Sequence, residues 1–172
     1  TELTDFRREK DAFFRDHAGS PLEPAQRLQF EGLRYYPEDP SLVVRARPGL
    51  FSPPELVEMQ TSTGDAATYL RWAQVRFVVA GREATLAVYR EPGDGSLFLP
   101  FQDANRGGET YGAGRYLDVQ ELPGGDLLLD FNYAYNPYCA YSDAWSCPIP
   151  PAENRLDVAI RAGEKTFADE QA

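Results

Sequence analysis

From Leu42 onward the apolar residues recur at every second position in short runs, and each run ends at a cluster of turn residues. That pattern restricts the fold more than any other feature of the chain. A period of two places alternate side chains on opposite faces of an extended strand, and short runs between turns favour antiparallel pairing. In Leu42–Arg47, Leu42, Val44 and Ala46 face in, with Arg45 and Arg47 out. Leu56–Thr61 is a second, less cleanly alternating candidate. In Tyr69–Val79, Ala73, Val75, Phe77 and Val79 share one face, and Trp72, Gln74 and Arg76 the other. Gly81-Arg82 marks a tight turn into Ala84–Arg90, a hairpin signal. Pro92-Gly93-Asp94-Gly95 turns the chain into Ser96–Phe101. Arg115–Gln120 and Leu127–Asn132 flank the turn Pro123-Gly124-Gly125-Asp126, and Arg155–Arg161 reads as the last strand, with Leu156, Val158 and Ile160 inward. The expected fold is mainly β: an antiparallel β-barrel or sandwich of about eight strands. No βαβ alternation and no internal repeat is present.

Ahead of this body the period is that of a helix. Over residues 4–17, Leu3, Phe6, Phe13 and Phe14 share a face, Thr4 is placed to cap the start, and Gly19 and Pro21 end the run. A short helix follows Pro24, and Leu33–Tyr36 reads as an extended connector. With 172 residues the chain has length for one sizeable core. We therefore expect a single domain over 1–172: an amphipathic helical arm at 1–36, a β body at 41–163 and a frayed tail at 164–172.

A formal net charge of −10 argues against nucleic acid and anionic membranes as partners, since both need basic patches. No apolar run approaches the ~20 residues of a membrane-spanning helix. No signal peptide is visible, although a start at Thr1 instead of Met is compatible with removal of a leader or lipid anchor. The sequence leaves oligomeric state open and reads as that of a soluble, acidic protein.

The distinctive residues concentrate between Leu99 and Gly163, which holds both cysteines, Trp145 and six of the ten tyrosines. Loops on a rigid frame are where binding groups gather. Arg115 follows the turn-rich run Thr110-Tyr111-Gly112-Ala113-Gly114, where glycines admit close approach of backbone N–H groups to a ligand. Its guanidinium suits a carboxylate or phosphate held bidentately, or a carboxylate partner such as Asp118, Asp130 or Glu153 that fastens a loop. Asn132, Tyr133, Tyr135, Asn136, Tyr138, Tyr141 and Trp145 form an aromatic-amide segment that could line a small-molecule pocket or cover an open sheet end. The resulting expectation is a binding module for an anionic small molecule. Its pocket is built from loops 101–116 and 132–154, with Thr110, Tyr111, Arg115, Asn132, Asn136, Tyr141, Glu153 and Asn154 as the binding residues. An enzyme of hydrolase type, using Asp103, Glu109, Asp130 or Glu153 as acid or base, is the alternative in another class. A structural or interaction protein whose loops only seal the barrel is a third.

Cys139 and Cys147 are candidates for a disulfide, which in the chain-entropy model stabilises by roughly 2.5 kcal/mol. Free thiols are the competing reading. The first implies export and the second the cytoplasm. One histidine, His17 at a helix end, leaves little basis for a zinc site or a thiol–imidazole pair, so neither metal nor cofactor is expected. Pro148, Pro150 and Pro151 make a stiff connector to the last strand.

Several segments match one family. These are Pro100-Phe101-x-Asp103, Thr110-Tyr111-Gly112-x-Gly114-Arg115-Tyr116-Leu117-Asp118, Asp130-Phe131-Asn132-x-Ala134-Tyr135-Asn136-Pro137, Cys139-Ala140-Tyr141 and Cys147-Pro148-x-Pro150-Pro151-x-Glu153-Asn154-Arg155-Leu156. Together with Ser20-Pro21-Leu22 and Phe30-x-Gly32-Leu33-x-Tyr35, they make the chain resemble the bacterial and archaeal family known as domain of unknown function 1684. Asn105-Arg106 before Gly107 departs from the pattern within a loop. The resemblance covers almost the whole chain and implies no particular reaction, cofactor or catalytic residue.

Overall fold

The structure, a computed structural model, describes residues 1–167. It is mainly β, with two antiparallel sheets. A three-stranded sheet has the order β1 (Val43–Ala46), β8 (Leu127–Asp130), β7 (Gln120–Glu121). A five-stranded sheet runs β2 (Gly49–Gln60), β3 (Ala66–Val79), β4 (Arg82–Arg90), β5 (Leu97–Phe101), β6 (Arg115–Asp118). The sheets do not close into a barrel. Val119, between β6 and β7, carries the chain from one sheet to the other and is itself buried.

Alternation builds the core as expected. Ala73, Val75, Phe77 and Val79 of β3 are buried, while Arg76 and Val78 between them are exposed. They meet Leu86 and Val88 of β4, Leu99 and Phe101 of β5, Leu117 of β6, and Leu127 and Leu129 of β8. Phe131, just past β8, packs edge-on against Phe101 with ring centroids 5.5 Å apart. Full burial of each large apolar side chain contributes about 1.5–3 kcal/mol. The β3–β4 hairpin closes with Val79 paired to Arg82, so Ala80 and Gly81 form a two-residue turn, with φ +51° and +77°.

Helix α1 (Glu2–Asp16) starts one turn earlier than its apolar pattern suggests, because Thr1, not Thr4, accepts from the Thr4 amide as cap. Leu3 and Phe14 are buried, and Phe6, partly exposed, packs edge-on against Tyr133. Helix α2 (Pro24–Leu28) follows. The connector then joins the body: Tyr36 N donates to Gly163 O at 2.9 Å, and Tyr35 bridges Glu164.

Two expectations require correction. Arg155–Arg161 is not a strand. Leu156, Val158 and Ile160 are buried as the alternation requires, but beyond a bridge from Gln102 to Arg155 their backbone lies in no ladder. Nor does the tail fray at 164: Glu164 and Thr166 are buried, and Lys165 N donates to Arg34 O at 2.8 Å. Residues 168–172 of the expected tail lie outside the described residues.

Candidate functional site

Arg115 opens β6 with its side chain 1% exposed. Its guanidinium donates from Nη1 to Ala162 O at 2.5 Å and Glu164 O at 3.0 Å, and from Nη2 to Ile160 O at 2.8 Å and Asp103 Oδ2 at 3.3 Å. Asp103 Oδ2 also accepts from the Ile160 amide at 2.8 Å, and Asp103 Oδ1 from the Thr110 hydroxyl at 2.9 Å. Both backbone groups of Ile160 are thus satisfied by two side chains. Arg115 and Asp103 supply the hydrogen bonds that a neighbouring strand would otherwise give to 160–164. This is the physical reason a segment with strand periodicity is buried without belonging to a sheet. Burial lowers the Arg115 pKa from its ordinary value, and the Asp103 charge opposes that shift.

The expectation that Arg115 anchors an anion is corrected accordingly: these donors point inward, to carbonyls and Asp103. The glycine before it has a related reason. Gly114 sits at φ +109°, and a Cβ there would lie 2.6 Å from Phe101 O and 2.8 Å from Pro150 Cγ. Its close neighbour is the protein's own chain, not a bound molecule.

Asn136 and Tyr141 meet beside this brace. Buried Glu164 accepts on Oε1 from Asn136 N at 3.0 Å and Tyr141 OH at 2.9 Å, and its Oε2 pairs with Lys10 of α1. The Asn136 carboxamide donates to Lys165 O at 2.9 Å. Lys10 Nζ also lies 5.1 Å from the Tyr135 ring centroid. The helix is therefore fastened to the body by a buried ion pair with hydrogen bonds on its remaining lone pairs, the condition under which such pairs persist.

The other expected binding residues lie elsewhere. Asn132 accepts from Asp39 N at 2.8 Å and donates to Asp39 O at 3.0 Å, tying the connector to the end of β8. Asn154 and Glu153 lie against β3, β4 and β5 of the five-stranded sheet. Strands β4 and β5 pair only at Tyr89–Phe98 and Arg90–Leu97. Where they part, the Asn154 carboxamide bridges them, accepting from Ala87 N at 2.8 Å and donating to Ala87 O at 2.9 Å and Pro100 O at 2.8 Å. Glu153 accepts from Arg71 Nε and Nη2 at 3.0 and 2.8 Å, and from Tyr89 OH. Burial raises the Glu153 carboxyl, but the Arg71 and Tyr89 hydrogen bonds together outweigh it and hold the group below its ordinary value. A general acid needs the opposite shift. Thus Thr110, Arg115, Asn136 and Tyr141 are brought together inside, while Asn132, Glu153 and Asn154 brace other joints.

Tyr111 places its hydroxyl 3.7 Å from Cys139 Sγ. Cys139 and Cys147 are free thiols, which corrects the disulfide expectation for this structure. His17 accepts from Gly19 N at 2.8 Å and stacks on Phe13, a capping and packing role. Among the described residues no cluster of three His, Cys, Asp or Glu side chains is placed to hold a metal, and no helix is long and apolar enough to cross a membrane.

An open depression of about 660 Å³ lies at the rim of the five-stranded sheet. Its walls come from the β4–β5 turn (Glu91, Asp94), from β5 (Phe98), from β3 (Tyr69) and from the β6–β7 passage (Asp118, Glu121). Tyr69 and Phe98 stack with centroids 5.2 Å apart. Asp118 accepts from Tyr135 OH at 2.9 Å, and Glu121 pairs with Arg90 at 2.6 Å. Burial, with the Glu91 charge, raises the Tyr69 pKa, so the phenol stays neutral. The groove carries no signal in the sequence because its members come from strands β3 and β5, the β4–β5 turn and the β6–β7 passage, far apart along the chain.

A family model described as "Protein of unknown function (DUF1684)" matches residues 28–165. The chain belongs to this family. Asp103, Thr110, Arg115 and Asn136, which form the internal braces, all lie within the matched residues. The chain is also similar to an uncharacterised protein of Haloarcula marismortui solved by solution NMR, at 40% identity and a TM-score of 0.75, covering 98% of this chain and 94% of that one. No curated protein matches the chain.

Proposed function

We propose that this DUF1684 protein is a small-molecule-binding β module whose ligand is an organic cation seated in the rim groove. The observation that carries the reading is the pairing of a stacked aromatic floor, Tyr69 and Phe98, with a wall of four carboxylates, Glu91, Asp94, Asp118 and Glu121. Aromatic faces attract cations by about 0.5–2 kcal/mol each, more when water is displaced. The carboxylates supply the compensating charge, with Arg90 the basic partner of Glu121. The chain's net charge of −10 raises the local concentration of cations further. A groove open on one side suits a ligand with an ammonium head and a flat or aliphatic body.

Calorimetric titration with benzyltrimethylammonium tests this. Binding is expected for the wild type, with affinity at least about tenfold weaker when Asp118→Asn and Glu121→Gln are combined. Equal affinity of the two proteins, or no saturable heat from the wild type, would overturn the reading.

A further inference from the structure

The thiols of Cys139 and Cys147 are an arranged pair. Cys139 is half-buried within the turn Tyr138–Ala140, and Cys147 is buried where the chain joins the end of β2. The Cys139 amide donates to Cys147 Sγ at 3.3 Å, which sets the two cysteines side by side. Beside the Cys139 sulfur stands the Tyr111 hydroxyl at 3.7 Å, and Ser62 lies against Cys147. Ser62 is itself held in place: its Oγ accepts from Cys147 N at 3.1 Å, and its amide donates to Cys147 O at 2.9 Å. Cys139 is thus the more exposed of the two, with Tyr111 beside its sulfur, while Cys147 is buried.

We propose that Cys139 and Cys147 form a thiol–disulfide exchange site that takes a low-molecular-weight disulfide as its reactant. The Cys139 thiolate attacks one sulfur of the small disulfide, forming a mixed disulfide and releasing one small thiolate. Cys147 then loses its proton, and its sulfur attacks that of Cys139, displacing the second small thiolate. The protein's two thiols are oxidised to an internal disulfide, the small disulfide is reduced to two thiols, and the Cys147 proton leaves on one of them. The division of roles follows the surroundings. The hydrogen bond from Cys147, aided by Tyr111 and Ser62, lowers Cys139 to about 6 against the opposing effect of burial. The hydrogen bond to Cys139, together with burial, pushes the Cys147 thiol up. The more exposed Cys139 is therefore the attacking group, and the buried Cys147 the one that resolves the mixed disulfide.

Oxidised glutathione is the probe. The intact reduced protein is incubated with it at neutral pH and its mass followed. The wild type is expected to lose two hydrogens and retain no glutathione. Cys147→Ser, which keeps a hydrogen-bonding hydroxyl, is expected to stop at a stable glutathione adduct on Cys139. Cys139→Ser is expected to react at least about tenfold more slowly than Cys147→Ser. Peptide mapping of the oxidised wild type provides the check that needs no variant. A wild type that stays reduced, or that accumulates the glutathione adduct, overturns the proposal, as does equal reactivity of the two variants.

Discussion

Asp103 and Arg115 meet at 3.3 Å with both side chains 1% exposed, and between them they hold both backbone groups of Ile160. A residue pair thereby does the work of a β-strand. Removing Arg115 leaves a buried carboxylate without its charge partner and the carbonyls of Ile160, Ala162 and Glu164 without these donors. Arg115→Met is expected to destabilise by about 3–5 kcal/mol, measured by urea denaturation. Combining it with Asp103→Asn should cost less than the sum of the single changes, because the two act as one unit. An Arg115 reserved for a ligand would show only a small loss in the ligand-free protein.

Ala80 occupies the left-handed region at φ +51° in the two-residue turn between β3 and β4. Its side chain is exposed, so nothing but backbone preference decides the effect of replacing it. Ala80→Asn creates the favoured Asn-Gly turn and is expected to stabilise by about 1 kcal/mol, read from the urea midpoint.

Glu153 gives an acid-side signature. Its folded-state pKa lies below the ordinary carboxylate value because Arg71 and Tyr89 hydrogen bonds overcome burial. A depressed carboxyl contributes stability that is complete above the unfolded value of about 4.3 and is lost as pH falls through the lower folded value. The stability difference between the wild type and Glu153→Gln, followed by urea denaturation from neutral to acidic pH, should therefore hold steady and then shrink below about pH 4.3.

The strands that pair along their length were legible because side-chain alternation and ladder hydrogen bonds coincide in them, as in Ala73–Val79. They part company at Leu156–Ile160, where alternation reports burial alone and Asp103 and Arg115 replace the ladder. Glu164 had no local signal at all. Its partner Lys10 is 154 positions away, and only the folded chain shows that the charge is buried. Arg115, Asn132, Asn136 and Asn154 stand out in the sequence for the turn residues and aromatics around them. What the sequence does not convey is direction, and an arginine or asparagine aimed at a ligand looks the same as one aimed at a carbonyl. The groove was hidden for the opposite reason, since Tyr69, Phe98 and Asp118 are individually ordinary.

The most direct test is a pair of backbone-amide NMR titrations on the intact protein, one with benzyltrimethylammonium and one with inorganic phosphate. Saturable shifts are expected at Ser96, Phe98, Asp118 and Glu121 with the cation, and none at Asp103, Arg115 or Ile160 with phosphate. Saturable phosphate shifts around Arg115, or cation shifts no greater than those from sodium chloride, would contradict that expectation.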